Sequence, residues 1–509
     1  MRLCTLFTIV AVAAVTLTGC EGHDDMSGEN PSKQDATGVI VLGEKLANPY
    51  ALANMREAGG GQIEANCLYV RLLPETEQDV IALQQLELNL YDHPLDYEIK
   101  EQGYYYHDPS LPEDAITWQY AVVPVDFRSP TAMKCEVLEE CYIPDDIELE
   151  RRAYLNAGYS LPSEGVKGGL SQSEADSISG NILIFNDSEG KYVGLKGVKV
   201  SCHLFMKEYS CYTDGTGHYT MANNFLLSPA RTIVYDNVRE FSIWKDLTFV
   251  NAVRQVVHDL DEQCTTGICN DTIMQTDECW PLGVINNSAY EYYDFCLKDT
   301  ILPPPDSLKI WVWSFVGSSS ASMIRRVSGY DGGTVTKFAG RLVDSVSVVL
   351  PWVADALPDL TVGVRTSNNR YMRHYTVTWH ELTHSSHFAQ VGADVWAKYI
   401  DYIVEYGAYG DGKAKTEGMY ICDLGESWAY ANERYCKKIC FGDATSTLSD
   451  REWFYLHYQA IYNVLNEGVL TRKQMYDCLT GDVKSYDDFR KALVARYPEK
   501  TASINKLMM

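Results

Sequence analysis

The chain contains no Cys-x-x-Cys anywhere, although it carries fifteen cysteines. That absence, together with the lack of paired zinc-knuckle spacings, removes a cysteine-based metal site. Basic residues are few beside acidic ones, 43 against 69, for a formal net charge of −26. A surface that negative repels phosphate backbones, so nucleic acid is not expected as a partner. No long run of like charge occurs either, and the acidity reads as solvated surface. Solenoid repeats and clustered aromatic strands are also missing, so nothing supports a partner protein in polysaccharide uptake. The first apolar run, Leu3 to Leu17, is too short and too early for a membrane span.

What is present suits a large folded protein. Hydrophobic residues make up 46% of 509, with 35 tyrosines, enough for two or three domains. Arg2, the apolar run and Leu17-Thr18-Gly19-Cys20 form an export signal. The last four residues resemble the bacterial lipobox, which implies lipidation of Cys20 and a membrane anchor. Glu21-Gly22-His23-Asp24-Asp25 resembles the acidic tracts of Bacteroidetes lipoproteins and implies the outer face of the outer membrane. Export permits disulfides. The close pairs Cys135/Cys141, Cys202/Cys211, Cys264/Cys269 and Cys279/Cys296 are candidates, with connectivity left open by spacing. Removing Cys4 and Cys20 leaves an odd thirteen, so at least one thiol is free or intermolecular.

Residues 1–19 are read as signal peptide and 20–47 as a polar tether. Residues 48–175 form an N-terminal domain of unknown role, with a strand at Cys67 to Leu73 and helical spacing from Glu77 to Leu90. Residues 176–240 carry a β pattern. Within it, Gly194-Leu195-Lys196-Gly197-Val198-Lys199-Val200 followed by Thr213-Asp214-Gly215-Thr216-Gly217-His218-Tyr219 resembles a carboxypeptidase-regulatory-like module. The resemblance implies a small transthyretin-type β-sandwich with a structural or adhesive role. Residues 241–509 turn mixed, with a helix around Val284 to Leu297, strands at Leu308 to Trp313 and Val346 to Leu350, and mostly helix after Tyr375. The fold expected is α+β and multidomain.

The chemistry concentrates in His380-Glu381-Leu382-Thr383-His384. Two histidines four apart share one helical face, so both imidazoles reach one ion. Glu381 projects about 100° around the helix from His380, toward the open side of that ion, where it can serve as general base. Imidazole and carboxylate donors with an open fourth position suit Zn2+. The third ligand is not settled by spacing. The metzincin pattern fails, because His387 and Gln390 stand where it needs Gly and His. Glu405 and Glu426 compete instead. Gly425-Glu426-Ser427-Trp428-Ala429 resembles the Glu-x-x-Ala segment of gluzincins, which implies Glu426 at the start of a helix packed on the first. Asp423 and Glu433 are candidates to hold the outer nitrogen of a ligating histidine. Tyr430, Tyr455, His457 and Tyr458 are candidates for oxyanion donor.

These residues imply a gluzincin-like zinc peptidase with a zincin-like, mainly helical C-terminal domain. Its substrate would be a protein or peptide, and endopeptidase action is favoured. The alternative is a non-catalytic surface lipoprotein that binds a host or matrix ligand around a structural metal. Glu381 discriminates, because a structural two-histidine site has no use for a carboxylate between its ligands.

Overall fold

The computed structural model describes residues 39–161, 178–245, 257–260, 267–328, 358–406, 415–443 and 457–509, apart from a few isolated positions within them. Cys20, Cys264, Tyr455 and the strand expected at Val346 to Leu350 lie outside these residues. So does the side chain of Glu405.

The first part of the chain runs β1 (Val41–Lys45), α1 (Leu52–Gly59), β2 (Cys67–Leu73), α2 (Glu77–Gln85), β3 (Tyr97–Glu101), β4 (Gln119–Pro124), β5 (Lys134–Cys141) and α3 (Ile147–Asn156). Strand β2 is the middle of an antiparallel sheet ordered β4-β2-β5. A capping box between Thr76 and Asp79 starts α2 where the spacing placed it. The helix ends at Gln85, short of Leu90, because Leu86 turns extended and Leu88 and Leu90 pack into the apolar cluster around Val70 and Leu72. Packing overrides periodicity there.

Next come β6 (Ile178–Asn186), β7 (Lys191–Gly194), β8 (Val198–Leu204), β9 (Lys207–Tyr212), β10 (His218–Thr220), β11 (Ala230–Asn237), β12 (Phe241–Lys245), β13 (Val257–Asp259), β14 (Gly267–Ile268) and β15 (Asp271–Ile273). These lead into α4 (Trp280–Asp299), β16 (Leu308–Trp313), α5 (Ile324–Ser328) and β17 (Leu360–Gly363). The remaining helices are α6 (Tyr371–Val391), α7 (Ala393–Tyr406), α8 (Glu417–Phe441), α9 (Tyr458–Asn466), α10 (Arg472–Tyr476), α11 (Tyr486–Arg496) and α12 (Thr501–Met508). With about 39% helix and 25% strand, the fold is mixed α and β.

The boundary expected at residue 240 falls inside a hairpin of one sheet. Strands β11 and β12 are antiparallel neighbours across it, and β12, β16 and β17 continue in parallel. The order is β17-β16-β12-β11-β8-β9. One apolar core accordingly holds Ile178 at one end of the chain segment and Met508 at the other. Helix α4 joins sheet to helices. Its Gly283 lets it approach β6 so closely that a Cβ there would lie 2.7 Å from the Ile184 side chain. Its buried Asn287 donates to the Gly194 carbonyl at 2.8 Å, and Ser288 donates to the Tyr375 carbonyl of α6 at 2.7 Å. A polar stripe in a buried helix is thus satisfied by the two layers it bridges.

Two disulfide candidates are corrected by this geometry. Cys135 and Cys141 sit at opposite ends of β5, about 20 Å apart at strand rise. Cys279 and Cys296 flank most of α4, about 25 Å apart at helical rise. Neither pair can bridge. Cys202 and Cys211 are free thiols offset by two residues across the β8/β9 ladder. Cys269 is disulfide-bonded.

Candidate metal centre

Helix α6 has two faces of opposite chemistry. On one, Tyr371, Tyr375 and Trp379 recur every four residues and stack at 5.9 and 6.0 Å between centroids. Trp379 meets Tyr292 and Phe295 of α4 edge-on at 4.9 and 5.2 Å. The other face carries Arg373, His380, His384 and His387. Hydroxyls of the helix bond back into it: Thr378 donates to the His374 carbonyl and Thr383 to the Trp379 carbonyl, both at 2.8 Å. Gly392, at φ +82°, ends the helix.

Helix α8 runs antiparallel to it. The hydroxyl of Thr416 caps its start and Gly442, in the left-handed region at φ +69°, closes it. Asp423, Glu426, Tyr430 and Glu433 follow at spacings of three and four, so they form one stripe facing the polar side of α6. Glu426 is therefore in mid-helix, not at its start. Gly425 marks no helix boundary, and a Cβ there would make only ordinary contact with Tyr399 at 3.4 Å. The stripe, not a helix-start signal, aims the carboxylate.

The two stripes meet in a buried set of donors. His380 Nε2 and His384 Nε2 are 3.1 Å apart, and each lies 3.5 Å from an oxygen of Glu426. All three side chains are within 2% of full burial. Donors at zinc-bond distance from one tetrahedral ion lie about 3.3 Å from each other, so the spacing fits such an ion. Glu433 Oε2 pairs with His380 Nδ1 at 3.1 Å, which turns Nε2 toward His384 and Glu426. Tyr399 of α7 donates to Glu426 Oε1 at 2.5 Å. Its ring stacks on Trp396 at 4.7 Å, so the phenol is held from behind. Tyr430 packs edge-on against His380 at 4.3 Å.

Electrostatics follow from burial and proximity. Burial would raise the Glu426 carboxyl, but the charges and hydrogen bonds of His384 and His380 hold it well below the usual range. Burial would lower His380, yet Glu426 and Glu433 push it up to about 10. Burial pushes the neighbouring His387 down to about 3, with His384 adding to the effect. Glu381 is fully buried, and neither of its carboxylate oxygens has a hydrogen-bond partner of normal geometry. Burial first, then Glu426 and Glu433, raise it to about 8 against the opposing charge of His380 and the backbone of Ala321.

Ala321 belongs to a segment that follows the sheet outward. Ser320 exchanges two backbone hydrogen bonds with Thr361 of β17 in antiparallel sense, at 3.0 and 2.7 Å. Met323 N–H donates to the Asp359 carbonyl, and Asp359 is clamped by Arg325 and Arg326. Among the described residues, the segment that brings a backbone group to Glu381 is thus Ser319 to Met323, buried along the margin of the sheet.

Asp423 does not serve a ligating histidine. Its Oδ2 pairs with His457 Nδ1 at 3.0 Å, and the imidazole stacks on Tyr486 at 3.8 Å. Tyr458 approaches Tyr430 at 6.4 Å, so the start of α9 lies over this end of the stripe. His387 packs on Trp396 and stays outside the donor set. Tyr399 was missed from sequence. In the apolar stripe Trp396, Tyr399, Ile400, Ile403 it reads as packing, and the hydroxyl at its tip was the only sign of a second task. Among the described residues, His380, His384 and Glu426 are the one group of three or more such side chains close enough to share an ion. No family model, curated protein or solved structure matches the chain.

Proposed function

We propose that the chain is a zinc-dependent peptidase that hydrolyses peptide bonds of proteins or glycoproteins. The observation that carries this reading is Glu381: a fully buried carboxylate whose only neutral support is the backbone of Ala321, beside a His380–His384–Glu426 donor set. A structural metal site gains nothing from such a group, since burying it with so little compensation costs stability. His380, His384 and Glu426 would hold Zn2+, which supplies Lewis-acid polarisation of a water and of the scissile carbonyl. Glu381 would take the proton from the attacking water and deliver it to the departing amine. Glu433 fixes the tautomer and orientation of His380, and Tyr399 fixes Glu426. His457, its Nδ1 held by Asp423, is the best-anchored candidate to donate to the oxyanion.

Export and lipid anchoring through Cys20 complete the proposal, with the enzyme at the cell surface or in the periplasm. Among the described residues no helix is long and apolar enough to cross a membrane. The test is to purify the mature protein, measure bound zinc and compare cleavage of a diverse peptide library by wild type and Glu381→Gln. Stoichiometric zinc with cleavage by wild type alone supports the reading. Protein without zinc, or equal inertness of both, ends it.

A further inference from the structure

The N-terminal sheet brings together two cysteines that no sequence spacing suggests. Cys67 opens β2, Cys141 closes β5, and the antiparallel register places them directly opposite each other. Among the described strand pairs, this is the one register that opposes two cysteines. Directly opposed residues of antiparallel strands have Cα atoms about 4.5 or 5.5 Å apart, and both values lie within the range a disulfide spans. The two side chains share one face and one buried cluster, with Tyr50, Tyr69 and Trp118. Asn48 Nδ2 donates to Cys141 Sγ at 3.5 Å, a contact that favours the thiolate against burial. Both thiols are free in the structure, whereas Cys269 is bonded, so this chain takes disulfide chemistry elsewhere.

We infer that Cys67 and Cys141 form a cross-strand disulfide when the chain folds in contact with a disulfide oxidant. The Cys141 thiolate attacks one sulfur of the oxidant and expels its first thiolate. The Cys67 thiolate then attacks the Cys141 sulfur of the mixed disulfide and expels the second. Two cysteine thiols lose two protons and two electrons, and the oxidant, glutathione disulfide for example, leaves as two thiols. The bond ties the edge strand β5 to the centre of its sheet at the point where Asn48 and Ala51 also reach Cys141. Once closed it is shielded, because Cys141 is fully buried and Cys67 nearly so. The inference is independent of the peptidase reading.

The experiment uses the full chain secreted into an oxidising compartment. It is denatured, alkylated with iodoacetamide without reductant, digested and analysed by mass spectrometry, with Cys269 as internal control. The expected result is a linked peptide pair containing Cys67 and Cys141, neither residue alkylated, and alkylation of Cys141 in Cys67→Ser. Alkylation of both cysteines in a sample where Cys269 is oxidised overturns the inference, and so does linkage of either to a different cysteine. A sample in which Cys269 is also alkylated is refolded from the reduced state with glutathione disulfide. Failure to link Cys67 and Cys141 there overturns the inference too.

Discussion

Single side chains set the chemistry proposed for the candidate metal centre, and two of them make separable predictions. Glu381→Gln keeps the volume and removes the base. Cleavage should fall ~100- to 10,000-fold while bound zinc, measured by atomic absorption, stays stoichiometric. The same variant reports on stability. In metal-free protein Glu381 holds its proton up to about pH 8, whereas an unfolded carboxyl releases it near 4.5. The folded state therefore binds more protons across that window and loses stability as pH rises through it. Thermal unfolding of chelator-treated protein should show the Tm of wild type falling relative to that of Glu381→Gln from pH 5 to pH 8. Equal slopes would mean that Glu381 is not buried as described. Tyr399→Phe removes the donor to Glu426 and keeps the ring on Trp396. Zinc affinity in chelator competition should weaken ~10- to 100-fold, with little change in Tm of the metal-free protein. The two histidines and Glu381 were legible in the sequence because their spacing is a property of one helix. Tyr399 and Glu433 act across helices, where sequence separation carries no distance.

At the scale of elements, α6 works as a wall between an aromatic seam and a polar one. Trp379 is the centre of the aromatic seam, fully buried between Tyr292, Phe295 and Tyr375. Trp379→Ala should cost about 3–5 kcal/mol in urea unfolding. It should also weaken zinc binding, since His380 is the next residue on the same helix. Unchanged stability would show that the seam does not hold the helix. The extent of β2 was read to the residue, because alternation and a clean break coincide there. The start of α8 was not. Gly425 looked like a boundary, yet tertiary packing on α6 and α7 carries the helix straight through it, and the real cap is Thr416.

For the whole molecule the shared sheet matters most. Since β11 and β12 are hydrogen-bonded neighbours and one core runs from Ile178 to Met508, residues 176–240 should not fold when expressed alone. Circular dichroism of that fragment should lack a cooperative transition. A stable, cooperatively melting fragment would show that the core contacts across residue 240 are dispensable. Asn287 tests the same continuity from the other side. Asn287→Ala leaves the buried Gly194 carbonyl without its donor and should destabilise the whole 178–509 unit by about 1–3 kcal/mol in a single transition.

Sequence alone determined what lies within one helical turn or one strand: the paired histidines, the carboxylate between them, the strand β2, and the mixed α and β character. These follow from local periodicity, which the chain carries residue by residue. Only the tertiary structure decided which carboxylate joins His380 and His384, which one holds His380 from outside, and that the sheet runs through residue 240. Only it showed that Cys67 faces Cys141. Each of these depends on how two elements are set against each other, and that is fixed by burying aromatic and apolar faces together. The apolar seam of α6 on α4 turns its polar seam toward α8, and the His380–His384–Glu426 cluster is built where those polar faces meet.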